Sequence, residues 1–224
     1  MLRLILADAE LERVPETIAG HPAVVKNAKK RGKRPGGVLL DSNLHHSAMR
    51  GLPEWERRGR PDIAHAFLLL SLDSIANQRG EMEIMVHTRN DEVIFVSPET
   101  RLPKGYNRFC GLMESLFLNG VVPNKESPLL RIEKMSLPEL LKNYEASGIT
   151  VLHPEGESLT LSEHMGRIDL SEHTFVIGGF AVGDFRTDFS GISHDKVSIS
   201  DLLLKVWTVT SEVIVNYEIA AGIR

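Results

Sequence analysis

Short apolar runs alternate with stretches of helical periodicity along most of this chain, and that alternation restricts the fold more than any other feature. Leu2 to Ala7, Val38 to Leu40, Ile149 to Leu152, Thr174 to Ile177 and Lys196 to Ile199 each read as strands, and Glu83 to His87 with Val93 to Val96 read as a β-hairpin. Between them lie stripes with the i, i+3, i+4, i+7 spacing of core-facing helices: Ile63, Phe67, Leu68, Leu72 and Ile75, then Phe109, Leu112, Met113, Leu116 and Phe117. A third stripe, Leu203, Val206, Trp207, Thr210, Val213, Ile214 and Tyr217, belongs to a helix expected to open at Ser200-Asp201. The pattern predicts an α/β sheet rather than a helical bundle or a β-sandwich.

Caps and turns fill in the rest. Pro15 suits the first turn of a helix running to about Ala19, and Pro22 to Ala28 a second. Asp8 is placed to turn the chain into a helix near Glu10. Ser136-Leu137-Pro138-Glu139 has the serine, proline and early acid of a helix start. His153 to Gly156 is expected to close its strand in a turn, and Ser162 to precede a short helix at Glu163 to Met165.

A chain of 224 residues, 42% hydrophobic and 25% charged, can bury a large core. It has neither the ~20-residue apolar run of a membrane span nor the signature of a secretory leader. One cysteine, Cys110, excludes an internal disulfide and suits a reducing cytosol, so a cytoplasmic location is expected. On its helical stripe Cys110 reads as a packing residue rather than a nucleophile. His45-His46 are adjacent and point apart, so no metal is expected. The formal net charge is −4, so any nucleic-acid site must be a local patch.

Three stretches could carry such chemistry. Lys26, Lys29, Lys30, Arg31, Lys33 and Arg34 place six cations in nine residues with no acid. A solvated helix end and a phosphate-contacting patch explain that run equally well. Arg57, Arg58 and Arg60 cluster at a helix start marked by Pro61, where planar guanidinium forks could clamp phosphate and Asp62 could hold one in place. On the helix bearing Phe109, a step of 100° per residue gathers Lys104, Asn107, Arg108 and Gly111 opposite the apolar face. Late in the chain, Gly178-Gly179-Phe180 and Gly183-Asp184-Phe185 follow a strand, and ligands in open α/β sheets bind beyond strand carboxyl ends. Neither the P-loop nor the G-x-G-x-x-G fingerprint occurs, and G-x-S-x-G, H-E-x-x-H and C-x-x-C are missing as well.

These segments, taken in order, resemble one family. Leu39-Leu40-Asp41-Ser42, Arg58-Gly59-Arg60-Pro61-Asp62-Ile63, Arg108-Phe109-Cys110-Gly111-Leu112-Met113, Ile177-Gly178-Gly179-Phe180 with Gly183-Asp184-Phe185, and Val197-Ser198-Ile199-Ser200 are similar to the nucleolar-essential-protein family of small-subunit ribosomal RNA methyltransferases. The resemblance spans nearly the whole chain and implies a SPOUT-type α/β sheet with a C-terminal trefoil knot. It implies one domain over 1–224 with a β-hairpin and helix insertion around 81–105, and the lack of a long N-terminal extension looks more like an archaeal than a eukaryotic member. It implies S-adenosylmethionine-dependent methylation of a pseudouridine at N1 in a small-subunit ribosomal RNA hairpin loop, a homodimer, and a part in ribosome assembly that could involve ribosomal proteins. Gly178, Gly183 and Lys196, Val197, Ser198, Ile199, Ser200 and Asp201 would hold the cofactor; Arg60, Lys104, Asn107, Arg108 and Gly111 would meet RNA, with Asp62 steadying Arg60. Lys104 stands where an arginine is expected and offers a point charge instead of a fork. No residue is marked as the proton acceptor. The competing readings are an assembly factor that binds ribosomal RNA with methylation secondary or lost, and a small-ligand α/β binding protein.

Overall fold

A computed structural model describes all 224 residues. In chain order its elements are β1 (Leu2–Ala9), α1 (Glu16–Ala19), α2 (Pro22–Lys30), α3 (Ser42–Met49), α4 (Pro61–Leu72), α5 (Ile75–Gln78), β2 (Met82–Thr88), β3 (Glu92–Val96) and α6 (Tyr106–Asn119). There follow β4 (Val121–Val122), β5 (Leu130–Lys134), α7 (Leu137–Lys142), β6 (Ile149–Ser158), α8 (Leu161–Met165), β7 (His173–Gly178), β8 (Asp195–Ser198) and α9 (Val206–Ala220). One eight-stranded sheet runs β4-β5-β3-β2-β1-β7-β6-β8. The five strands from β2 to β8 are parallel, and β3, β5 and β4 extend that sheet antiparallel beyond β2.

β1 sits in the middle because it has no polar face to give to water. All eight of its residues are buried. Leu2, Leu4 and Leu6 enter the larger core under α4, α6, α8 and α9, while Ile5 and Ala7 enter the smaller one that α7 covers. The period-2 alternation thus feeds two cores from one strand. A third, separate cluster joins Val24 and Ala28 of α2 to Val38, Leu40, Ala48 and Met49.

Several elements differ from the sequence expectation, each for a local reason. The chain after β1 stays extended instead of turning into a helix near Glu10, because Glu10 and Glu12 are buried against arginines and Asp8 is occupied elsewhere. Val38 to Leu40 has the burial of a strand but makes only one bridge, Leu39 to Arg13. α8 is capped by Thr160, not Ser162, in a reciprocal box with Glu163. β6 runs on through His153 to Gly156 to Ser158, bulging between Leu152 and Glu157 in its register with β8. α6 begins at Tyr106, which leaves Lys104 in the bend before it. α9 begins at Val206, so Ser200 to Lys205 is irregular and Leu203 is 80% exposed rather than core. The residues around 81–105 supply β2 and β3 to the continuous sheet.

Two backbone crossings require glycine. A Cβ on Gly156 would lie 2.5 Å from the Val197 backbone, and one on Gly179 would lie 2.7 Å from the Ala9 Cα. β8 and the chain leaving β7 can approach their neighbours only because those side chains are missing.

Beneath β6 the Thr150 hydroxyl lies between two buried imidazoles, 2.7 Å from His164 Nε2 and 2.8 Å from His173 Nε2. The hydroxyl can donate to one ring while it accepts from the other. Burial, then the neighbouring His164, drives His173 from 6.5 down to about 4. The unfolded chain therefore takes up this proton first, and the stability that the neutral ring contributes is complete above 6.5 and lost as pH falls towards 4. In His173→Gln the urea midpoint should fall less steeply over that window than in the wild type. An identical slope would remove His173 from the acid limb.

Candidate functional site

The site is built where the parallel strands end. Ile177 and Gly178 from β7, Leu152 from β6 and Val197 and Ser198 from β8 bring their carboxyl ends to one cleft of about 550 Å³. Its far wall is the loop from Ile199 to Lys205 and the start of α9, including Trp207, which is 41% exposed here rather than buried on a core stripe. Leu202 and Leu203 also line it, 69% and 80% exposed. Apolar side chains held out on a cleft wall suit a ligand with apolar surface. Gly183, with φ of +84°, takes a left-handed turn at the rim that a side chain would strain.

Three contacts hold the glycine-rich loop over the strand ends. Asp8, itself at φ +50°, accepts hydrogen bonds from the Arg186 and Thr187 N–H groups at 2.7 and 2.9 Å and from the Thr187 hydroxyl at 2.8 Å. Burial would raise this carboxyl, but the nearby His87 ring, 3.4 Å away, and the hydrogen bonds from Thr187 outweigh it and hold Asp8 at about 2. Arg57 donates from Nε to Glu10 at 2.6 Å and from Nη1 to the Asp184 carbonyl at 2.8 Å, with its guanidinium carbon 4.5 Å from the Phe180 ring centroid. His153 Nε2 lies 2.8 Å from Asp184 Oδ1 while its Nδ1 accepts from the Glu155 N–H, so Nε2 carries the proton and donates. Desolvation pushes the Asp184 carboxyl up, but the His153 and Phe185 hydrogen bonds win and leave it below its ordinary value.

Of the residues expected at a cofactor, Gly178, Gly183, Val197, Ser198, Ile199 and Ser200 line the cleft. Lys196 and Asp201 do not: Lys196 reaches out to Glu155 at 3.4 Å, and Asp201 is exposed. The three arginines divide. Arg57 and Arg58 are buried and turn inward, Arg58 making two 2.8 Å bonds to Glu12, so neither forms an outward phosphate clamp. Arg60 alone faces out. It lines the cleft, and donates along one edge to Asp62, from Nε to Oδ1 at 2.8 Å and from Nη2 to Oδ2 at 2.7 Å.

The second arginine- and lysine-bearing helix start is brought beside the first. His65 Nε2 of α4 lies 2.9 Å from the Pro103 carbonyl, and its ring stacks on Phe109 of α6 at 4.4 Å. The Tyr106 hydroxyl donates to Asp41 Oδ2 at 2.7 Å, and burial followed by that bond raises the phenol, which stays protonated. Lys104, Asn107 and Arg108 are exposed around this junction, and the half-buried Gly111 has open space where a Cβ would stand. Cys110 is buried, and burial pushes its thiol up to about 11, which leaves it protonated and packed.

Sequence reasoning missed the His153–Asp184 pair and the wall formed by Leu202 to Lys205. The first was read as a turn and the second as helix. The signal available was that Asp201-Leu202-Leu203-Leu204-Lys205 offers three apolar residues in a row, more than one helix face can bury.

A mixed sheet with a cofactor-sized cleft at the carboxyl ends of its parallel strands, flanked by a basic pair of helix starts, defines an α/β protein equipped for a small ligand and an anionic one together. The family model for the EMG1/NEP1 methyltransferase matches residues 4–218. Ribosomal RNA small subunit methyltransferase Nep1 of Thermococcus onnurineus is 51% identical over 220 residues, covering 97% of this chain and 98% of its own. The protein of the same name from Thermococcus kodakarensis is 52% identical over 226 residues, with both chains fully covered. The crystal structure of Archaeoglobus fulgidus Nep1 bound to S-adenosylhomocysteine superposes with a TM-score of 0.86 at 36% identity over 98% of each chain. The chain belongs to the EMG1/NEP1 methyltransferase family.

Arg57 has a structural duty that can be separated from bulk stability. Arg58→Met should cost about 3–5 kcal/mol, because it takes the two-pronged partner from the buried Glu12 carboxylate, and Arg57→Met should cost less, because Arg89 stays on Glu10. Only Arg57→Met should also speed hydrogen exchange at the Gly183, Asp184 and Phe185 amides relative to the global unfolding rate. Equal protection of that loop in both variants would show that Arg57 does not hold it.

Proposed function

We propose that this chain is an S-adenosylmethionine-dependent methyltransferase acting on small-subunit ribosomal RNA, at N1 of a pseudouridine in a hairpin loop. Family membership supports the reaction class, and one observation supports the way the site performs it. Arg60 belongs to both halves, since its side chain lines the cleft while its helix start adjoins the basic face of α6. A nucleic acid bound along α4 and α6 is thereby led to the mouth of the ligand cleft.

The cleft fits the cofactor's chemistry. It has apolar walls for a nucleoside and exposed backbone around Gly178 and Gly183. When bound, S-adenosylmethionine supplies a methyl group already electrophilic enough to need no covalent enzyme nucleophile. The residues of this chain then have three tasks. The loop from Ile199 to Lys205 and the turn at Gly183 enclose the ligand and exclude water. Arg60, held by Asp62, fixes the RNA backbone so that the target base, splayed from its loop, meets the methyl group in line. Lys104, Asn107, Arg108 and Gly111 present a basic, uncluttered surface to sugars and phosphates. Both Asp62 oxygens are engaged by the guanidinium, which favours a positioning role over that of proton acceptor.

The trefoil knot belongs to the same proposal. It is supported by β8 lying outside β6 and by the glycine-only crossings at Gly156 and Gly179. So do action as one domain, a cytoplasmic setting and a part in ribosome assembly. No helix is long and apolar enough to cross a membrane. A homodimer using α9 is supported by Trp207 and Ile219, 41% and 61% exposed on that helix. Sedimentation at micromolar concentration should give twice the chain mass; a monomer there would exclude the dimer.

The decisive assay offers a hairpin RNA bearing either uridine or pseudouridine with labelled methyl donor. Transfer to pseudouridine alone is expected, and no transfer to either would refute the enzyme assignment. Arg60→Ala should weaken hairpin binding about tenfold or more and lower the affinity for S-adenosylhomocysteine far less. An unchanged RNA titration would remove Arg60 from the interface.

A further inference from the structure

The most conspicuous group of charges outside the cleft lies on α2 and the loop after it. Val24 and Ala28 turn into the third core, and a step of 100° per residue puts Lys26, Lys29 and Lys30 together on the opposite, exposed side. Arg34 continues the exposed charge into the loop, and none of these four forms an ion pair. Favourable placement at a helix C-terminus accounts for Lys29 and Lys30 in the last turn, but not for Lys26 or Arg34.

The other two cations show why the run is held where it is. Arg31 donates to both oxygens of Glu114 at 2.5 and 2.7 Å, and Lys33 Nζ reaches the same carboxylate at 2.5 Å. Glu114 is buried to within 1% and also accepts from the Leu39 N–H at 3.0 Å. It lies on α6, three residues from Gly111 and seven from Asn107, and therefore on the same stripe of that helix. At 1.5 Å per residue the docking point is about 10 Å along the axis from Asn107. A buried acid on the helix that carries the basic face thus clamps the arm alongside it, leaving four unpaired cations in solvent.

We propose that this arm is a second RNA-contacting surface, which meets the phosphate backbone of the strand flanking the loop that holds the target base. The inference rests on the RNA-binding reading above and extends it from the target loop to the flanking strand. Phosphate contact is chosen because the arm offers charge and no aromatic group on which a base could stack.

The test uses the full chain and a quadruple variant, Lys26→Ala with Lys29→Ala, Lys30→Ala and Arg34→Ala, titrated at several salt concentrations. One RNA is the minimal hairpin and the other carries the same loop with extended flanks. All four side chains are solvated, so the melting temperature should match the wild type. The variant should bind the minimal hairpin within about twofold of wild type and the extended RNA about tenfold more weakly, with the slope of log K against log salt lower by about 2 to 3 on the extended RNA. Replacing Lys26, Lys29 and Lys30 by arginine should retain wild-type binding. Unchanged binding of the extended RNA, or an equal loss on both RNAs, overturns the proposal. So does loss of binding to phosphatidylserine vesicles with RNA binding intact, which would assign the arm to a lipid surface. If wild type binds neither RNA, the functional reading itself fails; if Arg60→Ala loses RNA while the quadruple variant keeps it, only the arm does.

Discussion

Two buried carboxylates organise the molecule around its site. Glu10 and Glu12 follow β1 at 0% and 3% exposure, where an unpaired charge would cost several kcal/mol. Arg57 and Arg89 meet Glu10, and Arg58 meets Glu12 with both ends of its fork. The partners come from the segment before α4 and the end of β2, so three distant stretches are locked together at the carboxyl edge of the sheet. Glu10 keeps one arginine if the other is lost, whereas Glu12 depends on the two-pronged grip of Arg58.

That network also decides which arginine is free. In Arg57-Arg58-Gly59-Arg60, the first two side chains are turned inward by Glu10 and Glu12. Gly59 then takes φ of +67°, and a Cβ there would meet the Ser42 nitrogen at 3.0 Å. The left-handed residue reverses the direction of the chain, and Arg60 emerges on the cleft side at the start of α4. Arg57 spans the gap from the other side, joining Glu10 to the Asp184 carbonyl and the Phe180 ring. The donor that neutralises a buried charge also builds one rim of the ligand cleft.

Much of this was legible before any coordinates, and the unreadable part has a common cause. β1, β2, β3, β7, the α4 stripe and the capped start of α7 followed from periodicity and turn chemistry, which are local. The Arg60–Asp62 pair was legible for the same reason, its partners being two residues apart. Arg57 and Arg58 were misread as outward-facing because their acids lie 47 and 46 residues away, and no local pattern pairs them. Glu114 falls on the polar side of α6 with Asn107 and Gly111, so patterning leaves it in solvent, and only Arg31 and Lys33 folded against it bury it. The start of α9 failed differently: Leu203 and Trp207 continue a helical stripe, yet both stand at the cleft, where apolar side chains serve a ligand instead of the core. Patterning assumes that apolar means buried, and it breaks where a site needs apolar surface held open.

The exposed Arg60–Asp62 pair contrasts with the buried pairs behind it, and the contrast bears on how RNA can be held. At 26% and 37% side-chain exposure the pair adds little to folding stability, since solvent competes for both partners. Its value lies in orientation. Asp62 engages Nε and one Nη2 proton, which leaves the two Nη1 protons and the second Nη2 proton of the five-donor fork unclaimed. A phosphate can take those donors without displacing the carboxylate, on a guanidinium whose rotamer is already chosen. The entropy of fixing a long side chain is then spent before RNA arrives. A lysine at this position would keep the charge but lose the shared geometry, because three rotating ammonium protons cannot be divided between a steadying acid and a ligand in fixed directions.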